Sequence, residues 1–356
     1  MRKDPLIAVL IPAHNEATTI LGTIGALLAA DFPKADIFVV DDYSTDKTAA
    51  IVRNEGVNIF KLPQNSGKAR AQIAAIRHFK LCVKYDWIIF LDGDTKVDLG
   101  FCTAMFQAAV EDPEVALFVG QVKSVKNDHL YSASRAVEYA YGHDMVKHGQ
   151  SNFGVIMVSP GCASMYNTSM LRSLKIDRMT LAEDMDLTIQ VHRHGGKVVY
   201  LPDAVVHTQD PNTLKDYHKQ ILRWYRGFWQ VVLKHNVLSP SHRKQRVDLY
   251  MLFMIVDSLI FNRVVWFLGA LAALPVSLLT VFGVDVLASA VVASYGAYKT
   301  KRLDVLYRLP QSYLLNYLSF YAYVRSFVEI VVLRKELLAW NKVARYNFDQ
   351  PQRKST

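Results

Sequence analysis

The first hundred residues alternate between short apolar runs and longer stretches with helical spacing. The apolar runs are Leu6 to Ile11, Ile37 to Val40, Val57 to Phe60 and Trp87 to Leu91. Glu16 to Ala30, Asp46 to Asn54 and Lys68 to Lys80 lie between them. Strands alternating with helices of this length predict a parallel sheet built from βαβ units. Sheets of that kind bind ligands beyond the carboxyl ends of their strands. Polar clusters follow the strands at those ends: His14-Asn15-Glu16, Asp41-Asp42 and Asp92-Gly93-Asp94. The pattern therefore predicts a site along one rim.

Residues 100–212 are less regular and are expected to complete this domain. Glu183 to His194 reads as a helix stopped by Gly195-Gly196, and Val198 to Leu201 as a strand. Thr213 to Lys234 is a long amphipathic helix carrying Gln220, Arg223, Trp224 and Trp229. After the basic stretch His242 to Arg246 the chain turns apolar and aromatic. Leu249 to Ile260, apolar except for Asp257, reads as interfacial. Val264 to Val284 is uncharged and long enough for a bilayer core of roughly 30 Å. Val286 to Tyr298 is shorter, and is expected to return as the second arm of a tight hairpin. Basic clusters at 242–246 and 299–302 would then both face the cytoplasm. Ser312 to Leu333 either crosses or lies on the membrane, with Arg325 and Glu329 one turn apart as a pair. A buried soluble helical bundle is the competing reading of this region.

The chain has 356 residues and a net charge of +9, which favours anionic partners such as phosphates or acidic headgroups. Its basic residues are scattered and form no periodic face, which argues against nucleic acid. Three cysteines, Cys82, Cys102 and Cys162, have neither disulfide-framework nor zinc-ligand spacing, consistent with a reducing compartment. The N-terminal run is too short for a signal peptide and reads as the first strand. No GxxxxGK[ST] or GxGxxG loop occurs, which argues against the P-loop and Rossmann dinucleotide readings.

Asp92 and Asp94, two apart after a strand, can share a divalent cation whose remaining oxygens come from a nucleotide diphosphate. An ordinary acidic turn would look the same in isolation. One of Asp41 and Asp42 can accept hydrogen bonds from a base or ribose, while Ser44 or Asp46 caps the following helix. Glu183 and Asp184 open a helix, where acids are favoured by the dipole. Group transfer to a hydroxyl would also need a carboxylate to take its proton, and Asp184 is the candidate. Arg223 can grip a diphosphate and Trp224 offers a flat face to a sugar, with Gln220 beside them. Lys68, in the turn Asn65-Ser66-Gly67-Lys68, is a candidate phosphate contact.

Taken together these segments resemble family 2 glycosyltransferases of the GT-A fold, particularly the membrane-integrated synthases of cellulose, hyaluronan and poly-N-acetylglucosamine. The resemblance rests on Pro12-Ala13-His14-Asn15-Glu16, Val40-Asp41-Asp42-Tyr43-Ser44-Thr45-Asp46, Asn65-Ser66-Gly67-Lys68-Ala69 and Asp92-Gly93-Asp94. Pro160-Gly161-Cys162, Glu183-Asp184-Met185-Asp186-Leu187 and Gln220-Ile221-Leu222-Arg223-Trp224 follow in the same order. Trp340-Asn341-Lys342-Val343-Ala344-Arg345-Tyr346 looks like the end of the poly-N-acetylglucosamine synthases. The resemblance implies an α/β GT-A catalytic domain over 1–235, membrane-embedded and interfacial helices over 236–340, and a cytoplasmic tail over 341–356. It implies inverting transfer from a UDP-sugar, N-acetylglucosamine or similar, to a growing polysaccharide. The alternative is a single addition to a lipid or lipid-linked acceptor.

By the same resemblance, Asp41 or Asp42 holds the uridine, and Asp92 and Asp94 bind the donor with Mg²⁺ or Mn²⁺. Pro12, Glu16 and Lys68 line the donor site. Asp184, beside Glu183, is the general base; Gln220, Arg223 and Trp224 close over diphosphate and acceptor. The family's TED reads Ala182-Glu183-Asp184 here, His14 stands where Tyr or Cys is common, and the TExP region reads His207-Thr208-Gln209-Asp210-Pro211. The larger synthases also carry membrane helices before the catalytic domain. A homo-oligomer or a partner membrane subunit is therefore expected to complete any export path. The rival classes are a nucleotidyltransferase, which would release pyrophosphate, and a non-catalytic membrane scaffold.

Overall fold

The computed structural model describes residues 4–125, 130–176, 180–242, 245–260 and 275–337. Its centre is a mixed sheet of eight strands among the described residues, in the order β3-β2-β1-β4-β7-β6-β8-β5. β1 (Ile7–Ala13), β2 (Ile37–Asp41), β3 (Asn58–Lys61) and β4 (Trp87–Phe90) are the four runs anticipated from the sequence, and they pair in parallel. Helices Ile20–Ala29, Thr48–Glu55 and Lys68–His78 connect them. Both faces of β1, β2 and β4 are covered, so near-continuous apolar residues are what these buried parallel strands require.

The chain moves outward from β1 to β2 and β3, then returns to place β4 on the other side of β1. That reversal opens a crevice at the carboxyl ends of β1 and β4, the usual place for a ligand in such a sheet. The second half of the sheet is mixed. β5 (Lys96–Val97) pairs antiparallel with β8 (Val198–Thr208), and β7 (Ser164–Asn167) lies antiparallel to both β4 and β6 (Leu117–Ser124). β8 runs well past Leu201, where the sequence reading ended it. Its register with β6 jumps from Gly120–Leu201 to Gln121–Val205, a bulge that absorbs Pro202, which has no N–H to give the ladder.

Helix Leu214–Lys234 begins where expected, with Thr213 accepting the Asp216 N–H at 3.1 Å as its N-cap. The C-terminal helices pack directly on it. Trp229 lies 5.3 Å from Tyr323 and 4.9 Å from Phe327, ring centre to ring centre, in a cluster that includes Met251 and Ile255 of helix Arg246–Ile260. The anticipated Arg325–Glu329 pair forms at 3.0 Å, and Glu329 also accepts from Arg226 at 2.8 Å. One carboxylate thereby ties helix Leu309–Phe327 and the segment Val328–Val332 after it to helix Leu214–Lys234.

The hairpin expected between Val264–Val284 and Val286–Tyr298 is not what forms. Pro275–Thr300 is a single helix running through Asp285, where the turn was placed. Asp285 needs no turn to reach a polar partner, because the Tyr313 hydroxyl donates to it. Among the described residues, Leu279–Thr300 is the helix long and apolar enough to cross a bilayer. Its inner face packs Ala293 and Ala297 against Ala133 and Ala136 of helix Leu130–Tyr139. Lys299 pairs with Asp144 at 2.7 Å. Residues 264–274 of the expected span, Trp340 to Tyr346 and the tail 341–356 lie outside the described residues.

Candidate active site

A cavity of about 1390 Å³ opens at the carboxyl edge of the parallel strands. Pro12, Glu16, Asp42, Lys68, Asp92, Asp94, Glu183, Asp184, Gln220, Arg223 and Trp224 all line it. Asp41 does not. Consecutive strand residues point to opposite faces, so two adjacent aspartates at a strand end cannot serve one site equally. The Asp41 carboxylate is turned into the core, where it accepts the Ser44 N–H at 2.9 Å and lies 3.5 Å from Lys61 Nζ. Asp42 faces the cavity. Its two oxygens accept the N–H groups of Ser66 and Gly67, at 2.6 and 2.7 Å, and hold the loop before Lys68. Asp46 accepts the Thr48 N–H at 2.9 Å at the start of helix Thr48–Glu55, whereas Ser44 accepts the Asn15 N–H and joins two rim loops.

Glu16 is buried, accepts from Thr19 Oγ1 at 2.8 Å and packs beneath Gly93. It therefore supports the Asp92-Gly93-Asp94 turn from below. Asp94 is 3 % exposed. Lys68 reaches across the cavity to Asp92 Oδ1 at 2.7 Å and Glu183 Oε1 at 3.3 Å. Gly161 makes room for it: a Cβ there would stand 2.5 Å from Lys68 Nζ. Burial alone would lower the lysine pKa, but Asp92 and Glu183 overcome it and hold the ammonium firmly charged.

Glu183 and Asp184 open helix Glu183–Arg193, as the sequence indicated. The helix is fixed from behind by Asp186, which accepts from Lys234 at 2.8 Å and His235 at 2.7 Å. The two site carboxyls are driven apart. Burial and the neighbouring Glu183 raise Asp184 above the usual aspartate range. Burial also acts on Glu183, but Lys68 and Arg223 outweigh it and hold Glu183 below its ordinary value. Oppositely shifted neighbours are the arrangement in which one carboxylate stays ionised while the other is free to carry a proton.

The carboxylate oxygens of Asp92 and Asp94 suit a hard divalent ion. An ammonium already rests against Asp92, so this position takes positive charge. Among the described residues no group of three His, Cys, Asp or Glu side chains forms a closed cage.

Residues 4–227 match the family described as glycosyltransferase like family 2. The chain belongs to that family. It is 32% identical to an N-acetylglucosaminyltransferase of Rhizobium meliloti, over 64% of this chain and 56% of that protein. It is 25% identical to a poly-β-1,6-N-acetyl-D-glucosamine synthase of Staphylococcus epidermidis, over 69% and 60% respectively. The chain thus spans less than two thirds of the length of these curated relatives. The fold is similar to that of the mannosyltransferase PcManGT from Pyrobaculum calidifontis, solved with GDP-Man and Mn²⁺. That match has a TM-score of 0.55 and 20% identity, and covers 88% of this chain and 87% of that one. With the sheet order above, it establishes the GT-A α/β fold of this family 2 glycosyltransferase.

One organiser of the site was missed from the sequence. Arg135, 1 % exposed, donates to Gln220 Oε1 at 2.9 Å and pairs with Glu138. Its guanidinium lies 4.4 Å from the Trp224 ring centre and 4.6 Å from that of Tyr217, within cation–π range of both. Gln220 and Trp224 of the QxxRW segment are thus set by a residue on another helix, while Arg223 donates to the Leu181 carbonyl at 3.1 Å. The i, i+3 spacing of Arg135 and Glu138 was the available signal. Arg135→Met is expected to cost about 1.5–3 kcal/mol, the penalty for leaving buried charge-assisted partners unmet. Thermal unfolding of the purified variant checks this, and Arg135→Lys, which keeps the charge but loses the planar fork, is expected to recover only part.

Proposed function

We propose that this family 2 glycosyltransferase transfers N-acetylglucosamine from UDP-N-acetylglucosamine, with inversion, to a carbohydrate acceptor at a membrane surface. The observation that carries the reading is the convergence of Asp92, Asp94, Asp184, Arg223 and Trp224 on one cavity. The choice of sugar draws on the named activities of the two curated relatives. In this reading Asp42 and the loop it holds, with Pro12 and Glu16 beside them, form the nucleotide end. Asp92 and Asp94 would hold Mg²⁺ or Mn²⁺, which when bound offsets charge on the leaving diphosphate.

Asp184 takes the proton of the attacking acceptor hydroxyl. The hydroxyl oxygen bonds to the anomeric carbon as the bond to the diphosphate oxygen breaks, so UDP leaves and the α-linked donor gives a β-linked product. Arg223 and Lys68 hold the diphosphate, and Trp224 with Gln220 faces the acceptor sugar.

The membrane assignment is supported by the apolar outer face of helix Pro275–Thr300, where Leu279, Val284, Leu287 and Val291 are exposed. Leu249, Phe253 and Val256 form an exposed stripe on helix Arg246–Ile260, as an interfacial helix would. We retain 1–235 as the catalytic domain, on the cytoplasmic side, and the later helices as the membrane-facing part. A second reading, addition of one sugar to a lipid-linked acceptor, is favoured by the apolar end of the cavity at Phe228, Met254 and Tyr323. Product length separates the two.

The test is UDP release by the detergent-solubilised protein with UDP-N-acetylglucosamine and Mn²⁺ or Mg²⁺. Release is expected with this donor, and chelation by EDTA is expected to lower it at least about 100-fold, the scale of an electrostatic contribution to the transition state. Release with another sugar nucleotide alone would replace the donor assignment. Undiminished release in EDTA would remove the metal from the mechanism.

A further inference from the structure

A helical run along the cavity wall changes pitch in the middle. Helix Leu130–Tyr139 passes into a π-helical segment, Ala140–Val146, before helix Lys147–Phe153. The run lines the cavity with Tyr139, Gly142, Lys147 and Gln150. The step from Gly142 to Lys147 is the i to i+5 spacing of a π turn, which an unbroken α-helix would carry off the cavity face. Segments of this kind are frequently found at functional sites. Here it delivers a lysine.

Lys147 is 6 % exposed. An ammonium has three N–H donors, and its described hydrogen-bond acceptor is the Val158 carbonyl. Asp184 acts on it only through space. Burial pulls its pKa down to about 8, against the opposing pull of Asp184. A buried cation is costly unless paired or hydrogen-bonded. This one sits at a junction. On one side is the proposed base, Asp184; on the other, Met157, Phe228, Met254 and Tyr323 continue the cavity wall. Those four belong to the apolar cluster packed between helix Leu214–Lys234 and the C-terminal helices.

We propose that this end of the cavity is the acceptor subsite for an anionic amphiphile, a sugar joined through phosphate to a hydrocarbon chain. Lys147 faces the phosphate, and Met157, Phe228, Met254 and Tyr323 face the chain. The sugar hydroxyl then lies at Asp184, between the linker and the donor. Lys147 is near enough to Asp184 to feel its charge, and its carbonyl partner Val158 directly follows Met157, so the cation adjoins both the proposed base and the apolar wall. The apolar end also lies beside helix Arg246–Ile260, whose opposite stripe is exposed and apolar, so a chain entering from a bilayer has a short path. This assignment rests on the second reading above, transfer to a lipid-linked acceptor, and adds the phosphate linkage and the residue that recognises it.

The experiment compares two acceptors with the same sugar and chain: farnesyl diphosphate-linked N-acetylglucosamine and the neutral farnesyl N-acetylglucosaminide. UDP release is followed with each, and without acceptor, using UDP-N-acetylglucosamine and Mn²⁺. For the wild-type protein the KM of the charged acceptor is expected to be at least about tenfold lower than that of the neutral one, the scale of one charge-assisted contact. In Lys147→Met that ratio is expected to fall to near one, and in Lys147→Arg to be largely kept. The ratio is internal to each protein, so a general loss of folding does not mimic it, and the wild-type preference is read without any variant. Equal KM values in the wild type, or an undiminished preference in Lys147→Met, would overturn the subsite while leaving sugar transfer intact. Failure to release UDP under every condition, with no binding of the donor, would instead overturn the donor reading and the subsite with it.

Discussion

Asp184→Asn is expected to abolish sugar transfer while the protein still binds its donor. The amide keeps the shape of the carboxylate but cannot accept the proton of the attacking hydroxyl, and positioned general bases contribute roughly 10²–10⁴-fold. A loss of that size in kcat, with UDP affinity within about threefold of wild type by calorimetry, is the expected pair of results. The structural cost should be small. The Asp184 side-chain oxygen that accepts the Met185 N–H at 2.8 Å is reproduced by the asparagine oxygen. The Thr188 hydroxyl donates to the backbone carbonyl of residue 184, which the substitution leaves alone. A fully active variant would remove Asp184 from the base role.

The same residue sets an expected pH profile. Burial and Glu183 raise the Asp184 pKa, so protonation disables the base at a higher pH than for an ordinary aspartate. The sign follows directly: the rate falls as pH falls through the raised value, and recovers above it. The acid limb of kcat/KM, which reports the free enzyme, should therefore lie above the normal aspartate range. Lys68→Met removes the cation that opposes this shift and should move the limb further up. A limb at or below the ordinary value would assign it to another group.

Much of this was legible because the parallel half of the sheet is buried on both faces. Such strands must be runs of Val, Ile and Leu, and β1, β2 and β4 announce themselves as such. Polar residues immediately after them can only lie on the carboxyl rim, so Glu16, Asp42, Asp92 and Asp94 were placed beside one another without a structure. Which of Asp41 and Asp42 enters the cavity was not legible. That depends on the facing of a single strand residue, settled by Ser44 and Lys61 around Asp41. The mixed half was harder. β7 is four residues long and β8 is interrupted by its bulge, and neither presents a clean period. Asp285 was read as a turn because a charge in an apolar run usually ends it; the partner that keeps it within a helix, Tyr313, is remote in sequence. Arg135 and Lys147 gave no motif. Their burial comes from tertiary packing, and for Lys147 from a change of helical pitch that composition does not encode.

Gly227→Ala is expected to damage catalysis from a position that touches no substrate. In a helix interior alanine is ordinarily better than glycine by about 0.8–1 kcal/mol, so helix propensity alone predicts a gain. Packing reverses the sign. A Cβ on Gly227 would lie 2.6 Å from Ala182 Cβ, 2.8 Å from Ala182 N and 3.1 Å from Leu181 C. Two of those three atoms are backbone, and Ala182 directly precedes Glu183 and Asp184. The segment is tied to the same helix face by Gln230, which accepts the Leu181 N–H at 2.8 Å, and by Arg223 on the Leu181 carbonyl. It cannot retreat without breaking those bonds. Overpacking of this kind costs about 1–3 kcal/mol, which outweighs the propensity gain or at best matches it. The larger effect is on the rate: displacing a catalytic carboxylate by about 1 Å can cost about 10²-fold. The expected result is a kcat lower by about that factor with a modest fall in thermal midpoint. Gly25→Ala is the matched control, since nothing lies within 4 Å of its Cβ position in helix Ile20–Ala29. There the propensity term acts alone, and the midpoint should rise with kcat unchanged. If Gly227→Ala also rose in stability at full activity, the close packing of helix Leu214–Lys234 against residues 181–184 would not be what positions Asp184.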